Sequence, residues 1–582
     1  MTEGDADAKR SIPIKLSGLR LSPEEPVELL FGQILARTGL SADRVRSWRI
    51  LRRSLDARGR GAPFFEHTIG VVVTPGGLSG MGAGIGTGIE AGTGTSTGIG
   101  AQAGAGGWGR WKDKRRTVVP VSTRLSTPPV VVGAGPAGLF AALRLVAYGL
   151  KPVILERGEP IEQRVRDVAA YWRTGIAKPD SNVQFGEGGA GAFSDGKLTS
   201  RSKDFRREWV LEQFVAAGAP ADILFDAKPH LGTDRLKAIV KSLRQTLLAS
   251  GARIEFGQRV ERLHFDEEKL VGVVTPSGIV SCEAVFLGVG HSARALVKTL
   301  ASQGVVVSAK GFAIGLRVEL EQEALDLCQY GRFASSPGLG AAEFVLKASS
   351  IDAKGARGVY SFCMCPGGTV IPAGVEPGGL VINGMSGHAR SGRFANSALV
   401  AEVRPEDFGY DPFEGYALQR AIEERAYALA GARGVPAQTL ASFIEGDGAR
   451  SGASPGLSGS YSSLSSLDLA DSTCPWPLVE ARLEECLPEY VTHALRSTLP
   501  GLIRKLEPLK RARLLAAETR TSSPVRIERD TEFESTGVSG LFPIGEGAGY
   551  AGGIVSSAID GVRAVDAYAR RLGGALIERE GE

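Results

Sequence analysis

Between Pro129 and Gly158 the hydrophobic period of the chain changes twice. Val130–Val132 is an unbroken apolar run short enough for a buried strand. From Pro136 to about Gly149 apolar residues recur at helical spacing, and Pro152–Leu155 is apolar again. A strand, a turn, an amphipathic helix and a second strand are predicted. Residues 12–73 follow another pattern: IPIKLSGLRL alternates like a strand, PVELLFGQILARTGL is helical in spacing, and SWRILRRSLDAR and EHTIGVVV read as further strands. This predicts a small α+β unit with a ferredoxin-like arrangement as its candidate. Val285–Val289 and the start of Leu541–Gly561 read as short strands returning to the first sheet. Alternation of strands and helices over 127–582 implies a mostly parallel sheet with appended elements.

Two stretches carry no such pattern. Residues 76–107, GGLSGMGAGIGTGIEAGTGTSTGIGAQAGAGG, cannot bury enough side-chain area to offset the entropy of ordering them. Their Gly-x-Gly triplets are not phosphate loops, because no strand and helix flank them. Gly446–Ser472 is rich in Ser and Gly and reads as an exposed loop. The predicted organisation is a small N-terminal α+β domain (1–74), a Gly-rich linker with a basic segment (75–126), and a first nucleotide-binding part (127–310). An inserted α+β substrate domain (311–500, carrying the 446–472 loop) and a C-terminal nucleotide-binding part (501–582) complete it.

Composition changes this picture little. At 582 residues with 43% hydrophobic and 23% charged residues the chain reads as a multidomain globular protein. The net charge of +4 is too mild over this length to argue for nucleic acid or a membrane. Locally, Arg44, Arg46, Arg49, Arg52, Arg53, Arg58 and Arg60 cluster, as do Arg110, Lys112, Lys114, Arg115 and Arg116. A solvated basic face is the plain reading; an anionic partner such as RNA at Arg44–Arg60 is the sharper one. Six cysteines in so long a chain are not a disulfide framework, and MTEGDADAKRSIPIK has no apolar signal core. A reducing cytoplasm is the expected location. The most apolar long segment, Val130–Leu155, is broken by Arg144 and Lys151 and is a poor membrane span.

The chemistry begins at the turn after Val132. Gly133, Gly135 and Gly138 form G-x-G-x-x-G between a predicted strand and a predicted helix. In that setting Gly133 permits the tight turn, Gly135 lets a pyrophosphate approach, and Gly138 lets the helix pack on the strand. The helix N-terminus then faces the phosphates with unpaired amides. Glu156 ends the second strand, where a carboxylate accepts from a ribose diol and repels a 2′-phosphate. This constellation fits NAD or FAD. Residues 541–561, LFPIGEGAGYAGGIVSSAIDG, resemble the late strand, acidic turn and helix by which glutathione-reductase-type flavoproteins return to their cofactor. The resemblance implies FAD, with Glu546 at the ribityl and pyrophosphate region and Gly553–Ile554 at the flavin edge.

A broader resemblance rests on SNVQFGEGGAGAFSDGKLTSRS (181–202), YSFCMCPGGTVIPA, LVINGMSGHAR, RFANSAL and ETRTSSPVRIERD. Together these resemble a family of uncharacterised FAD-dependent dehydrogenases found in bacteria and plastids. The resemblance implies an α/β fold: a Rossmann-like FAD domain of glutathione-reductase type with an inserted domain shared by two chain stretches. The chain departs from the family pattern in its two low-complexity runs and in GLRVELEQE, which lacks a His after Glu319. The cofactor-binding set expected from all of this is Gly133, Ala134, Gly135, Pro136, Ala137, Gly138, Glu156, Arg157, Ser194, Lys197, Gly545, Glu546, Gly553 and Ile554.

With hydride or electron transfer assigned to flavin, the protein must position a small-molecule substrate, exclude water and polarise the reacting group. Glu518, Arg520 and Arg526, with Asn383, His388, Arg390 and Asn396, are the candidates to line that space. Arg520, Glu518 and Arg390 are the catalytic choices, and the arginines suggest an anionic substrate. Arginines in structural ion pairs are the plain alternative. His291 reads as a turn residue. Cys363-Met364-Cys365 has C-x-C rather than C-x-x-C spacing and lies far from the first Gly turn, so buried apolar thiols are expected there. No second Cys or His pair stands at metal-ligand spacing, and no metal is expected. A second strand–GxGxxG–helix unit is not found. NAD(P)H, as electron donor, would therefore bind transiently at the flavin face. The competing function is a flavoprotein that acts on or senses RNA or an acidic protein docked by the basic N-terminal module.

Overall fold

A computed structural model describes residues 12–58, 61–74, 108–110, 114–200, 202–446 and 471–580. The Gly-rich segment 76–107, Arg60, Lys112 and residues 447–470 of the Ser/Gly run lie outside the described residues.

Five short strands form the nucleotide sheet, in the order Leu541–Pro543, Val285–Leu287, Val130–Val132, Val153–Leu155, Arg253–Glu255, with all neighbours parallel. Four of the five are buried throughout, as expected where both faces of a parallel sheet are covered. The two ends of the body meet here. Helix Ile554–Arg571 lies against helix Pro136–Ala147 so closely that a Cβ on Gly561 would fall 2.3 Å from the Ala137 carbonyl oxygen. Buried Arg144 donates to Asp566 at 2.7 Å, and Tyr148 donates to the same carboxylate at 3.0 Å. Strand Lys114–Val119 pairs with Ala575–Glu580, so the body begins within the expected linker segment, before residue 127.

The second sheet has seven strands, in the order Lys347–Asp352, Gly355–Cys365, Phe394–Val403, Phe312–Glu321, Arg513–Glu518, Val435–Thr439, Leu478–Glu480. Every neighbouring pair is antiparallel except the last. The Arg513–Glu518 strand is wholly buried in it, and helix Glu489–Lys505 packs on the same sheet. The chain therefore returns to the nucleotide sheet after residue 521, and the expected boundary at 501 is corrected. Burial drives this: LLAA is apolar on both faces, and the charged ends Arg513 and Glu518 find buried partners in Glu319 and Arg317. The outgoing and returning crossings run side by side, Val307–Ala309 pairing antiparallel with Val525–Ile527.

The N-terminal unit is a sheet of Val45–Asp56, Phe64–Val73, Ile12–Leu21 and Trp108–Arg110 in that order, all antiparallel, with helix Leu29–Thr38 joining the first two strands in sequence. That strand order is the ferredoxin-like one. Several of its clustered arginines are committed internally. Arg53 donates to Asp226 of the body at 2.6 and 2.8 Å and lies 5.3 Å from the Phe225 ring, and Arg58 is paired with Asp56 at 2.8 Å.

Candidate functional site

One cavity of about 720 Å³ is lined from both sheets. Its first wall is the turn after Val132. Gly133 has φ +96° and a Cβ there would sit 2.5 Å from the Gly288 carbonyl oxygen; one on Gly138 would sit 1.9 Å from that of Gly133. Both glycines are thus demanded by protein atoms. Gly135 is not: its φ of −79° suits any residue, and a Cβ would meet only the Gly189 Cα, at 3.7 Å. The space a side chain would take there belongs to the cavity. Helix Pro136–Ala147 starts without a side-chain cap and with Pro at its first turn, so its leading end can serve an anion.

Glu156 is buried, and its carboxylate first serves the protein. Oε2 accepts from the Ala134 amide at 2.7 Å; Oε1 accepts from Gly158 at 2.9 Å and Gly186 at 3.1 Å. Of about four lone-pair positions on a carboxylate, three are used, leaving room for one hydroxyl. The 181–198 segment is held from beneath by Arg164, which sequence reasoning missed. Its fully buried guanidinium donates to the carbonyls of Asn182, Val183, Gly186, Glu187 and Gly189 at 2.7 to 3.1 Å. Burial pushes its pKa down to about 10, still charged at neutral pH. The same segment crosses the first turn, where the Gly188 amide donates to the Ala134 carbonyl at 2.8 Å.

Further along, Glu546 lies 3.4 Å from Nδ1 of His291, while Nε2 of His291 is buried with no hydrogen-bond partner. A buried ring nitrogen without a partner marks a place for a polar ligand atom. Gly545 approaches the Ala137 side chain closely, and Gly553, at φ +98° with nothing within 4 Å of a Cβ, caps helix Ile554–Arg571 without a side-chain bond. Ile554 lines the cavity beside it.

The far wall comes from the seven-stranded sheet. Glu518 is buried at the end of its strand, with both oxygens 3.4 Å from Nη1 of Arg317. Burial pushes its pKa up and the loosely held Arg317 offsets only part, leaving it at about 7. Arg317 spends its other donors on Asn396 at 2.7 and 3.0 Å and on the Cys363 carbonyl at 2.9 Å. Cys363 itself lines the cavity, half-buried, at φ +48° where its strand loses register. The Cys365 thiol donates to the Cys363 carbonyl at 3.4 Å, and with Cys365, Arg317 and Lys197 nearby the Cys363 pKa falls to about 6 despite burial. The expectation of inert apolar thiols is therefore corrected at Cys363, which lines the cavity with the cations Arg317 and Lys197 nearby.

Several candidates are placed differently from one another. Arg157, Ser194, Lys197, Asn383, Glu518 and Arg520 all line the cavity. Ser194 is turned on its own loop, donating to the Gly191 carbonyl at 2.7 Å. Arg520 is matched by carboxylates, donating to Glu423 at 2.9 and 3.1 Å and lying 3.4 Å from Glu376, with Ser292 at 3.0 Å. Arg294 pairs with the same two acids. Burial pushes Glu423 up, but the two arginines outweigh it and hold its pKa at about 2. Arg390 is not on the cavity lining; it donates to Asp195 at 2.5 and 3.0 Å and to Glu343 at 2.7 Å. Arg526 is exposed, His388 stacks on His230 at 5.1 Å, and Asn396 is buried behind Arg317. Glu319 is buried against Arg513 at 2.7 Å. No helix among the described residues is long and apolar enough to cross a membrane.

Sheet, glycine turn, helix and terminal acid together define a dinucleotide-binding protein of the Rossmann type. A family model described as FAD-dependent protein, C-terminal domain-like, matches residues 311–521, and a model of a domain of unknown function matches residues 13–72. The chain is 45% identical over 442 residues to an uncharacterised protein of Clostridium beijerinckii, a match covering 75% of this chain and 80% of that one. The chain belongs to this family of FAD-dependent proteins. A weaker likeness, at 12% identity and a TM-score of 0.35 over 77% of this chain and 79% of that one, extends to a flavin-dependent brominase. Another, at 10% identity and a TM-score of 0.32 over 77% of each chain, is to a flavoprotein/dehydrogenase from Cytophaga hutchinsonii.

The residues present fit FAD. Space is left open at Gly135, one acceptor position remains on Glu156, two uncapped helix starts bound the cavity, and the His291 Nε2 lacks a partner. The Gly133–Gly138 turn and Glu156 would hold the adenosine and pyrophosphate, and Glu546 with the Gly553–Ile554 helix start the flavin side.

Proposed function

We propose that this protein is an FAD-dependent oxidoreductase acting on a small molecule at a carbon that bears oxygen or nitrogen, with Glu518 as the group that moves the accompanying proton. The bound flavin supplies two-electron chemistry. The observation that carries the reading is a cavity-lining carboxyl, made by burial into an acid and base balanced near neutral pH. Its long contacts to Arg317 leave its oxygens available to a substrate hydrogen. Arg317 orients the carboxylate, and Phe362, Asn383 and Val375 would narrow the space around the substrate and exclude water. Arg520 and Arg294 are neutralised by Glu423 and Glu376, so the reading requires no negative charge on the substrate. The described residues contain no second glycine turn of this kind, so a nicotinamide donor would use the same cavity.

The test is a purified preparation with its flavin spectrum, screened against alcohols and amines for bleaching of the flavin under anaerobic conditions. Glu518→Gln should keep the flavin and lose turnover. Full turnover in that variant at every pH would remove the proton-transfer role, and a protein that cannot hold FAD would remove the reading altogether.

A further inference from the structure

We propose that Cys363 and Cys365 are a redox-active dithiol that exchanges two electrons with the flavin of this cavity, giving the chain a second, protein-borne electron store. The inference rests on the proposed FAD-dependent activity and extends it. Four observations point to it. The Cys365 thiol turns back on residue 363, donating to its backbone carbonyl at 3.4 Å. One of them, Cys363, lines the cavity, while Cys365 is buried behind it, a division between an accessible and a resolving sulfur. Cys363 stands at φ +48° in a strand whose register breaks between Phe362 and Cys365. A non-glycine residue adopts that backbone only at a cost, and such costs gather at functional sites. Finally, cationic Arg317 serves both members, donating to the Cys363 carbonyl at 2.9 Å and lying 3.4 Å from the Cys365 sulfur.

The remaining cysteines lack this setting. Cys282 and Cys486 are buried and Cys474 half-buried, with thiols pushed up to about 12 by burial, and Cys328 is exposed; none of the four lines the cavity. At Cys363 the neighbouring Cys365 and the cations Arg317 and Lys197 favour the thiolate, the form that attacks. The step balances within the cavity. One S–S bond forms as the two cysteines give up two electrons and two protons to oxidised FAD, and it breaks when reduced FAD returns them. Glu518, held by the same Arg317 that contacts both cysteines, is the nearby group through which a proton can pass.

The experiment uses the full-length, flavin-loaded protein. Anaerobic titration with dithionite should consume about four electrons per flavin in the wild type and about two in Cys363→Ser and Cys365→Ser, with alanine variants if the serines do not fold. In parallel, the oxidised protein is unfolded in iodoacetamide and the peptide carrying both cysteines is weighed. It should be unmodified before reduction and doubly alkylated after. Uptake of about two electrons by the wild type, with both cysteines alkylated in the oxidised protein, overturns the dithiol. If that protein also holds FAD and loses turnover in Glu518→Gln, the proposed function stands without it. Protein that holds no FAD overturns both.

Discussion

The two ends of the cavity are built by different means. At the nucleotide end, Gly133, Gly135, Gly138 and Glu156 lie within one strand–helix–strand unit, and the glycines' task is steric: backbone passes close to backbone at Gly133 and Gly138, and space is left open at Gly135. At the far wall, Glu518, Arg317 and Cys363 come from three strands of another sheet, and their task is electrostatic. The first end leaves no space for added atoms at Gly133 and Gly138; the second tolerates no change of charge. The contrast separates binding of a cofactor from tuning of the groups beside it.

The largest effect expected is at the steric end. Gly138→Val places side-chain carbon where the Gly133 carbonyl already lies, within 1.9 Å, so the turn must open and the purified protein should carry no flavin. A normal flavin-to-protein absorbance ratio in that variant would break the contrast at once. Next is Glu518→Gln, for which general acid–base catalysis predicts a loss of about 10²–10⁴ in turnover with flavin retained. If Glu518 acts as base, the wild-type rate should rise with pH through about 7, where its carboxyl ionises, and the variant should lack that limb.

Third, removing Glu423 leaves Arg520 and Arg294 buried without their shared carboxylate. Glu423→Gln should cost about 3–5 kcal/mol in denaturant unfolding, as breaking buried pairs does. The sign of its pH dependence follows from a folded pKa of about 2, below the ordinary carboxylate value. The pair's contribution is complete above the unfolded pKa of about 4.3 and is lost as pH falls toward 2. Wild type and variant should therefore converge in stability on acidification, and parallel curves would show that the pair is not the source. The smallest effect sharpens the comparison most. Gly135→Ala meets nothing closer than 3.7 Å, so melting of the flavin-free protein should shift by no more than about 0.5 kcal/mol while FAD retention drops. Equal loss of both would mean that Gly135 serves the fold rather than a ligand.

Legibility in the sequence divides along the same line. The apolar runs around G-x-G-x-x-G, the acid after the second strand and the Gly-rich turn at 545–553 were readable, because each is a local pattern with a local cause. In the N-terminal unit the alternation showed three strands but not their order, whose fourth strand, Trp108–Arg110, lies in the stretch read as linker. Arg164 was not readable: nothing around it says that one guanidinium will gather five carbonyls from residues 182–189. Nor was the cavity position of Cys363, whose neighbours in sequence, Phe362 and Met364, suggest a hydrocarbon setting. The domain boundary near 501 failed because a short strand buried from end to end, charged ends included, gives no sign of which of two sheets will bury it.

By itself the sequence determined the nucleotide turn, its paired acid and the acidic return at the C-terminus, since glycine sterics and hydrophobic period act over a few residues. Only the tertiary structure decided that Glu423 would neutralise Arg520 and Arg294, that burial would bring Glu518 to neutrality, and that Cys363 would face the cavity. Those outcomes depend on charge and desolvation, which are set by whatever folds within a few ångströms, and here that is chain nearly a hundred to two hundred residues away.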